Sequence, residues 1–342
     1  MPTFCRHGRF LERCPICSKT LPGAAPANPR PGAKRRTGGA SRATPGAHRA
    51  AGAGRGNGLR VRRQERAVED GYTSPLLPGL RASADAARLA EELAFSNGRL
   101  CVLAGAPDAP ARPQLYEEVH LLAAAGELER ASWICFLIAY LRPLEGEDPF
   151  AGISLALASE SEGLPELSGV PLGPRSSHDP ARGAATLRAY RSWYGQAARS
   201  QMSSQAQALI GDPEWSPTRR FERLFERLAL PGLTRAARYE LLVLLGGLDV
   251  AALEADSLHL SAARGSGLED ATTLACKRVF GIGDPLLLER RARALAEAVA
   301  LPIAALELAL ANWQEGDRVT LGFPPEAGDY ETLQRARTAF GL

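Results

Sequence analysis

From residue 67 onward the apolar positions recur every three to four residues, with little strand-type alternation. Phe221, Leu224, Phe225 and Leu228 fall at i, i+3, i+4, i+7, and Leu241, Leu244, Leu245 and Leu248 repeat that spacing. Leu288, Ala292, Leu295 and Val299 form a third stripe, and Trp133, Phe136, Leu137 and Tyr140 a fourth. Helices are therefore predicted over 83–97, 113–125, 127–141, 216–228, 235–248, 270–280, 285–299 and 302–313. The expected fold class is all-α. Start signals agree with the stripes: Ser216-Pro217 and Asp284-Pro285 each offer a capping side chain followed by proline at the first helical position. Asp179-Pro180 reads the same way, ahead of a helix carrying Tyr190, Trp193 and Tyr194. Arg142-Pro143 ends the 127–141 helix, because proline disfavours helical geometry in the residue before it. Residues 143–178 are rich in Gly, Pro and Ser and read as irregular.

Composition changes the picture mainly through its distribution. Hydrophobic residues make up 45% of the 342, enough for a substantial core, and the net charge is +3. Residues 1–17 hold +2, residues 18–64 carry eleven basic and no acidic residues, and the remainder is left at −10. A basic arm thus precedes an acidic body, so attraction to nucleic acid must come from the arm or from local patches. Residues 21–66 are Gly-, Ala-, Pro- and Arg-rich and are predicted to be disordered. The arm is either a tether with salt-sensitive affinity for phosphates or a solvated linker. No signal-peptide pattern opens the chain, and the longest apolar run is about half a membrane span. The six cysteines form no secreted disulfide framework, so a cytoplasmic, nucleoid-associated protein is expected, with no membrane partner.

Candidate chemistry begins at the N-terminus. Cys5-Arg-His7 and Cys14-Pro-Ile-Cys17 offer three thiolates and one imidazole, a common tetrahedral set for structural Zn2+. Residues 1–20 are too few to bury a core, so order there requires the metal. His120 and His178 are isolated and are assigned no chemistry. Tyr190, Trp193 and Tyr194, interleaved with Arg188 and Arg191, fit either a base-stacking face or, more simply, a core face with solvated arginines.

The helices before and after Leu230-Pro-Gly232-Leu233-Thr234 resemble the helix–hairpin–helix of the DNA glycosylase superfamily. In that superfamily, hairpin amides hold one DNA phosphate at a helix N-terminus. The likeness makes Gly232, Leu233, Thr234 and Arg235 candidate DNA contacts, with Arg290 farther on. It departs where Thr234 replaces the usual second glycine. Ala236 stands at the position of the Schiff-base lysine, so lyase chemistry is not supported. A carboxylate beyond the hairpin is expected to stabilise charge, and Asp256 and Asp270 compete for that role. Asp270 and Lys277 are seven residues apart on one helical face, about 10 Å from each other. They fit either side of a bound base, or simply a cap and a charge favouring the helix C-terminus.

The stretch Asp270 to Trp313, with Lys277-Arg278-Val-Phe-Gly-Ile-Gly-Asp and Glu289-Arg-Arg-Ala-Arg, resembles the α-glutamyl/putrescinyl thymine pyrophosphorylase family, third clade. The opening Phe4-Cys-Arg-His and Cys-Pro-Ile-Cys is similar to what its bacterial members carry ahead of the helical domain. The resemblance covers the knuckle and most of 75–313, but not the linker. It implies thymine hypermodification: an amine co-substrate displaces phosphate or pyrophosphate from activated 5-hydroxymethyluracil in double-stranded DNA. That chemistry needs cations on the leaving group, for which Lys277, Arg278 and Arg290 or Arg291 are candidates. It also needs a carboxylate for the amine proton, either Asp270 or Asp256, and a flipped base. The domains expected are a knuckle at 1–20, the linker at 21–66 and a helical catalytic or DNA-binding domain at 67–342. A monofunctional glycosylase and a non-catalytic DNA-binding adaptor are the alternative functions.

Overall fold

A computed structural model describes residues 67–342 apart from 162, 183, 198–204, 213 and 266–269. Of 194–197, 205–206 and 263–265 it describes only the backbone. The zinc-ligand set and the basic arm lie outside the described residues. Helix α1 (Ser83–Leu103) packs against α11 (Ala304–Glu315) and α12 (Tyr330–Phe340). Helix α11 in turn packs on α9 (Ala271–Phe280), and α3 (Leu128–Leu141) on α2 (Gln114–Ala124) and α8 (Arg235–Gly247). No strand occurs among the described residues; one isolated bridge joins Ser161 and Leu164.

The stripes face the core as their spacing demands. Phe221, Leu224 and Phe225 of α7 (Pro217–Arg227) and Leu288, Ala292, Leu295 and Val299 of α10 (Pro285–Val299) are buried. The caps act too: Ser216 Oγ accepts from Arg219 N–H, and Asp284 accepts from Leu286 and Leu287 N–H. Ser83 does not cap α1; its hydroxyl is bonded to Asp70, and Ala82 holds the cap position. Asp179 closes a local turn on Ala181 N–H, and α5 (Ala185–Ala197) starts later than Asp179-Pro180 suggests. Residues 143–178 are not wholly irregular, since α4 (Ala151–Ala158) lies within them. On α5 the aromatics form core: Tyr190 is fully buried, stacks on Phe136 at 4.0 Å between ring centroids, and Trp193 is buried beside it. Arg191 lies over the Trp133 ring at 3.6 Å. The Tyr190 and Trp193 rings are closed to a base; the Tyr194 side chain lies outside the described side chains. No single helix among the described residues is long and apolar enough to cross a membrane.

Candidate functional site

Two clusters of buried charge meet at one cavity. The first centres on Arg235, the opening residue of α8, which is 5% exposed. Its guanidinium grips Glu307 of α11 with two bonds, Nη2–Oε1 at 2.5 Å and Nη1–Oε2 at 3.0 Å. Nε donates to Asp270, and Nη1 also reaches the Leu258 carbonyl at 2.8 Å. Asp270 caps α9 through Thr273 N–H at 2.8 Å, and Thr272 Oγ1 donates to Glu307 Oε1 at 3.0 Å. Burial pushes the Asp270 carboxyl up, but Arg235 and the Thr273 amide outweigh it and hold it below the usual carboxylate range. For Glu307, fully enclosed, burial prevails over Arg235 and the pKa is raised.

The second cluster joins Arg99 of α1 to Glu240 of α8, at 2.5 and 3.3 Å, with Arg142 Nη1 3.8 Å from the same carboxylate. Arg142 follows the last turn of α3 and sits at φ 63°, ψ 140°, in the left-handed half of backbone space. The ψ is what the following proline enforces; the φ is not. Arg175 sits at φ 60°, and Leu321 at φ 55°. All three line the cavity. Non-glycine residues in such conformations cost about 1–3 kcal/mol each, and strain of this kind gathers where a side chain must be aimed.

The chain folds that way because residues 173–177 zip onto the end of α3. Gly173 N–H donates to the carbonyls of Leu141 and Arg142, and Ser177 N–H to Tyr140. A Cβ at Gly173 would lie 2.0 Å from the Pro143 carbonyl oxygen, so only glycine permits the approach. Arg175 is thereby delivered beside Arg142, where it donates to Asn312 Oδ1 at 3.0 Å and to the Asp317 carbonyl at 2.9 Å.

The cavity between these clusters encloses about 280 Å³. Its charged walls are Arg142, Arg175, Glu240, Glu307 and Glu315, with the first turns of α8 (Thr234, Ala236) and α9 (Asp270, Ala271, Thr272); Pro174, Leu308, Ala311, Val319 and Leu321 complete a lining that is mostly apolar. The volume suits a single ring or a small amine rather than a dinucleotide.

Of the residues singled out from the sequence, Asp270 and Thr234 come together here. Lys277 and Arg278 do not line this cavity. Lys277 lies in the last turn of α9; Arg278 donates to Gln314 and covers the Trp313 ring at 4.7 Å. A helix that presents its first turn to a cavity carries its last turn some 10 Å along its axis. Asp256 is also elsewhere, half-exposed and 3.8 Å from Arg293. Arg235, expected at a DNA phosphate, is turned inward and spent on two carboxylates. In the hairpin, Leu233 N–H is taken by the Leu230 carbonyl, and Gly232, at φ 80°, packs on Thr186. Thr234 caps α8 through Ala237 N–H and shares a 2.6 Å bond with Ser177 Oγ. Arg290 is exposed on α10, away from the cavity lining.

Arg142, Arg175, Glu240 and Glu307 were missed as site residues. The one signal for the glutamates is a charge inside an apolar run, as in Tyr239-Glu240-Leu-Leu and Leu306-Glu307-Leu. No group of three or more acidic, histidine or cysteine residues able to hold a metal occurs among the described residues.

A family model described as alpha-glutamyl/putrescinyl thymine pyrophosphorylase clade 3 matches residues 175–321. That is the family the sequence resembles, and the match spans every cavity-lining residue except Arg142 and Pro174. No curated protein matches the chain, and no solved structure does.

Proposed function

We propose that the cavity is the reaction centre of a DNA base-modifying enzyme, in which an amine displaces a phosphate-type group from activated 5-hydroxymethyluracil. The observation that carries this reading is the coincidence of the matched segment with a strained, charged cavity faced by Asp270. A C–N bond forms at the exocyclic carbon while the C–O bond to the leaving group breaks, its electron pair departing with the phosphate. The attacking nitrogen becomes positive and must lose a proton. Asp270 and Glu307 share one arginine and so keep one net negative charge for that nitrogen. Asp270 stays ionised and steadies the positive charge, while Glu307, with its raised pKa, is the better proton acceptor of the two. The base reaches them flipped out of the duplex.

Asp270→Asn keeps the capping oxygen, removes the charge and leaves Arg235 matched to Glu307. Its NH2 meets the Arg235 Nε–H, so we expect a folded variant that loses about 1–3 kcal/mol of stability and has turnover reduced about 100-fold or more. Intact-nucleoside mass spectrometry of DNA carrying pyrophosphorylated 5-hydroxymethyluracil, incubated with putrescine or glutamate, reads the product. Full turnover in this variant removes Asp270 from the mechanism. The second reading is a monofunctional glycosylase, without lyase chemistry because Ala236 stands at the position of the superfamily's Schiff-base lysine. Abasic sites in place of an aminated base would select it, and with it the helix–hairpin–helix likeness of α7–α8.

The same proposal includes a structural zinc ion on Cys5, His7, Cys14 and Cys17, and the arm as a tether to DNA phosphates at the nucleoid. The expected metal content is one zinc per chain, falling in Cys14→Ser. Elemental analysis showing no zinc in the wild type would refute it.

A further inference from the structure

The cavity has two unlike ends, and the proposed reaction has so far used only one. At the other, Glu240 is held by Arg99 at 2.5 Å, which leaves Arg142 its secondary partner at 3.8 Å. One carboxylate thus answers two guanidinium groups. Arg175 spends its hydrogen bonds on neutral acceptors, the Asn312 side chain and the Asp317 carbonyl, while the Glu315, Asp317 and Glu92 carboxylates lie in its surroundings.

Two observations indicate that these arginines await a ligand. The Arg142 side chain is nine-tenths buried, yet its nearest carboxylate oxygen, on Glu240, is 3.8 Å away, beyond hydrogen-bond reach. A buried donor without an acceptor is costly unless something supplies one. Both arginines hold backbone conformations that a glycine would adopt without strain, so the guanidinium is what each position contributes.

We propose that Arg142 and Arg175 form an oxyanion subsite within the reaction cavity, opposite in charge to the Asp270–Glu307 end. The inference rests on the cavity being the reaction site, and it deepens that reading. The leaving phosphate or pyrophosphate is one source of the oxyanion; the carboxylate of an amino-acid nucleophile is the other. A plain diamine has nothing to place between two guanidinium groups, whereas planar forks pair naturally with phosphate or carboxylate oxygens.

The test is isothermal titration of the full-length protein, without DNA, using inorganic pyrophosphate, orthophosphate, glutamate and putrescine in turn. Wild type is compared with Arg175→Gln and Arg142→Lys. The basic arm is identical in all three, so the difference between them isolates the cavity. Loss of one charge-assisted pair is expected to weaken oxyanion binding about tenfold or more in Arg175→Gln. Arg142→Lys, which keeps charge but loses the fork, should weaken it less. Pyrophosphate responding alone identifies the leaving group; glutamate responding identifies the nucleophile's carboxylate; both outcomes support the subsite. Equal binding of every anion to wild type and Arg175→Gln overturns it, as does putrescine losing affinity in step with the anions. Should Arg142→Lys fail to fold, Arg175→Gln decides. Turnover measured in parallel separates the two claims. Unchanged anion binding with turnover intact defeats the subsite alone, and a responsive subsite without turnover defeats the reaction alone.

Discussion

The two charge clusters at the cavity are built from the same parts in opposite ratio. Around Glu240, two arginines face one carboxylate; around Arg235, two carboxylates face one arginine. A balanced buried pair is commonly no better for stability than apolar packing, so balance would suggest scaffolding. Imbalance of opposite sign on two sides of one cavity, with Glu307 also acting on Arg142, gives a polarised space that suits a ligand or reaction carrying both signs of charge. The difference also predicts which single changes each cluster tolerates.

Removing the shared member should be severe. Arg235→Met strands Asp270 and Glu307 together, and Glu240→Gln strands Arg99 and Arg142. An uncompensated buried charge costs about 3–5 kcal/mol, enough to unfold a marginal domain. Glu307→Gln, by contrast, leaves Arg235 matched to Asp270 and should cost less, about 1–3 kcal/mol, because its amide NH2 meets one guanidinium N–H that loses its acceptor. Urea denaturation of the three variants checks the ordering. Equal losses would mean that the ratio of charges does not govern these clusters.

How much of this was legible beforehand divides along the same line. Local signals were readable: the stripes of α7, α8 and α10, and the capping roles of Ser216, Asp284 and, as the simpler alternative, Asp270, all hold. Each depends on residues within one or two turns. Helix α4 escaped because its eight residues are apolar nearly all round and leave no stripe. Helix α12 escaped because the reading stopped at Trp313, although Asp329 caps it and Ala336 and Phe340 face inward. The site was half-visible. Asp270 stood out as a carboxylate opening a helix, but its partners Arg235 and Glu307 lie 35 and 37 residues away along the chain. Arg142 was read only as the residue that ends a helix, since no single sequence shows residues 173–177 folding back onto α3. Lys277 was attractive because spacing on one helix is easy to compute; where a cavity lies along that helix is not.

Acid titration sharpens the comparison by separating the cluster from a third buried group. His259, at φ 54°, stacks on Phe225 at 4.0 Å, and burial pushes its pKa down to about 4 from 6.5. One ring nitrogen lacks a partner among the described residues. The unfolded chain therefore binds the proton first, so this contribution is complete above pH 6.5 and lost as the pH falls towards about 4. Partial exposure reduces the expected loss to about 2 kcal/mol. Asp270 is also depressed, but its contribution is present above the ordinary value of 3.8 and lost only below it. Glu307 runs the other way: its raised pKa favours the fold below the ordinary 4.5 and ceases to do so as the pH rises through the folded value. His259→Phe keeps the stack and should remove the loss of stability between pH 6.5 and 4, leaving the opposite drift from Glu307, while Asp270→Asn should alter the more acid limb and, through Glu307, reduce that drift. Denaturation midpoints across that range would reject the assignment if His259→Phe retained the wild-type slope.

The smallest expected effect is also the one that discriminates between the two aspartates first considered. Asp256 lies 24 residues beyond the hairpin glycine and, by spacing alone, competes with Asp270 for the catalytic role. The fold sets it on different terms. Its side chain is 43% exposed, its neighbour Arg293 is 52% exposed at 3.8 Å, and it lines no part of the cavity. An ion pair in that setting contributes at most a few tenths of a kcal/mol, because water screens both charges and two mobile side chains must be held together. The Arg293 guanidinium keeps a 2.9 Å bond to the Asp256 backbone carbonyl, which substitution of the side chain leaves in place. Asp256→Asn is therefore expected to shift stability by less than about 0.5 kcal/mol and to leave turnover at the wild-type level. Measured beside Asp270→Asn in the same mass-spectrometric assay, it turns the contrast into a ratio. A loss of turnover in Asp256→Asn matching that in Asp270→Asn would place the reaction outside this cavity, since among the described residues the Asp256 side chain pairs with Arg293 and lines no part of it.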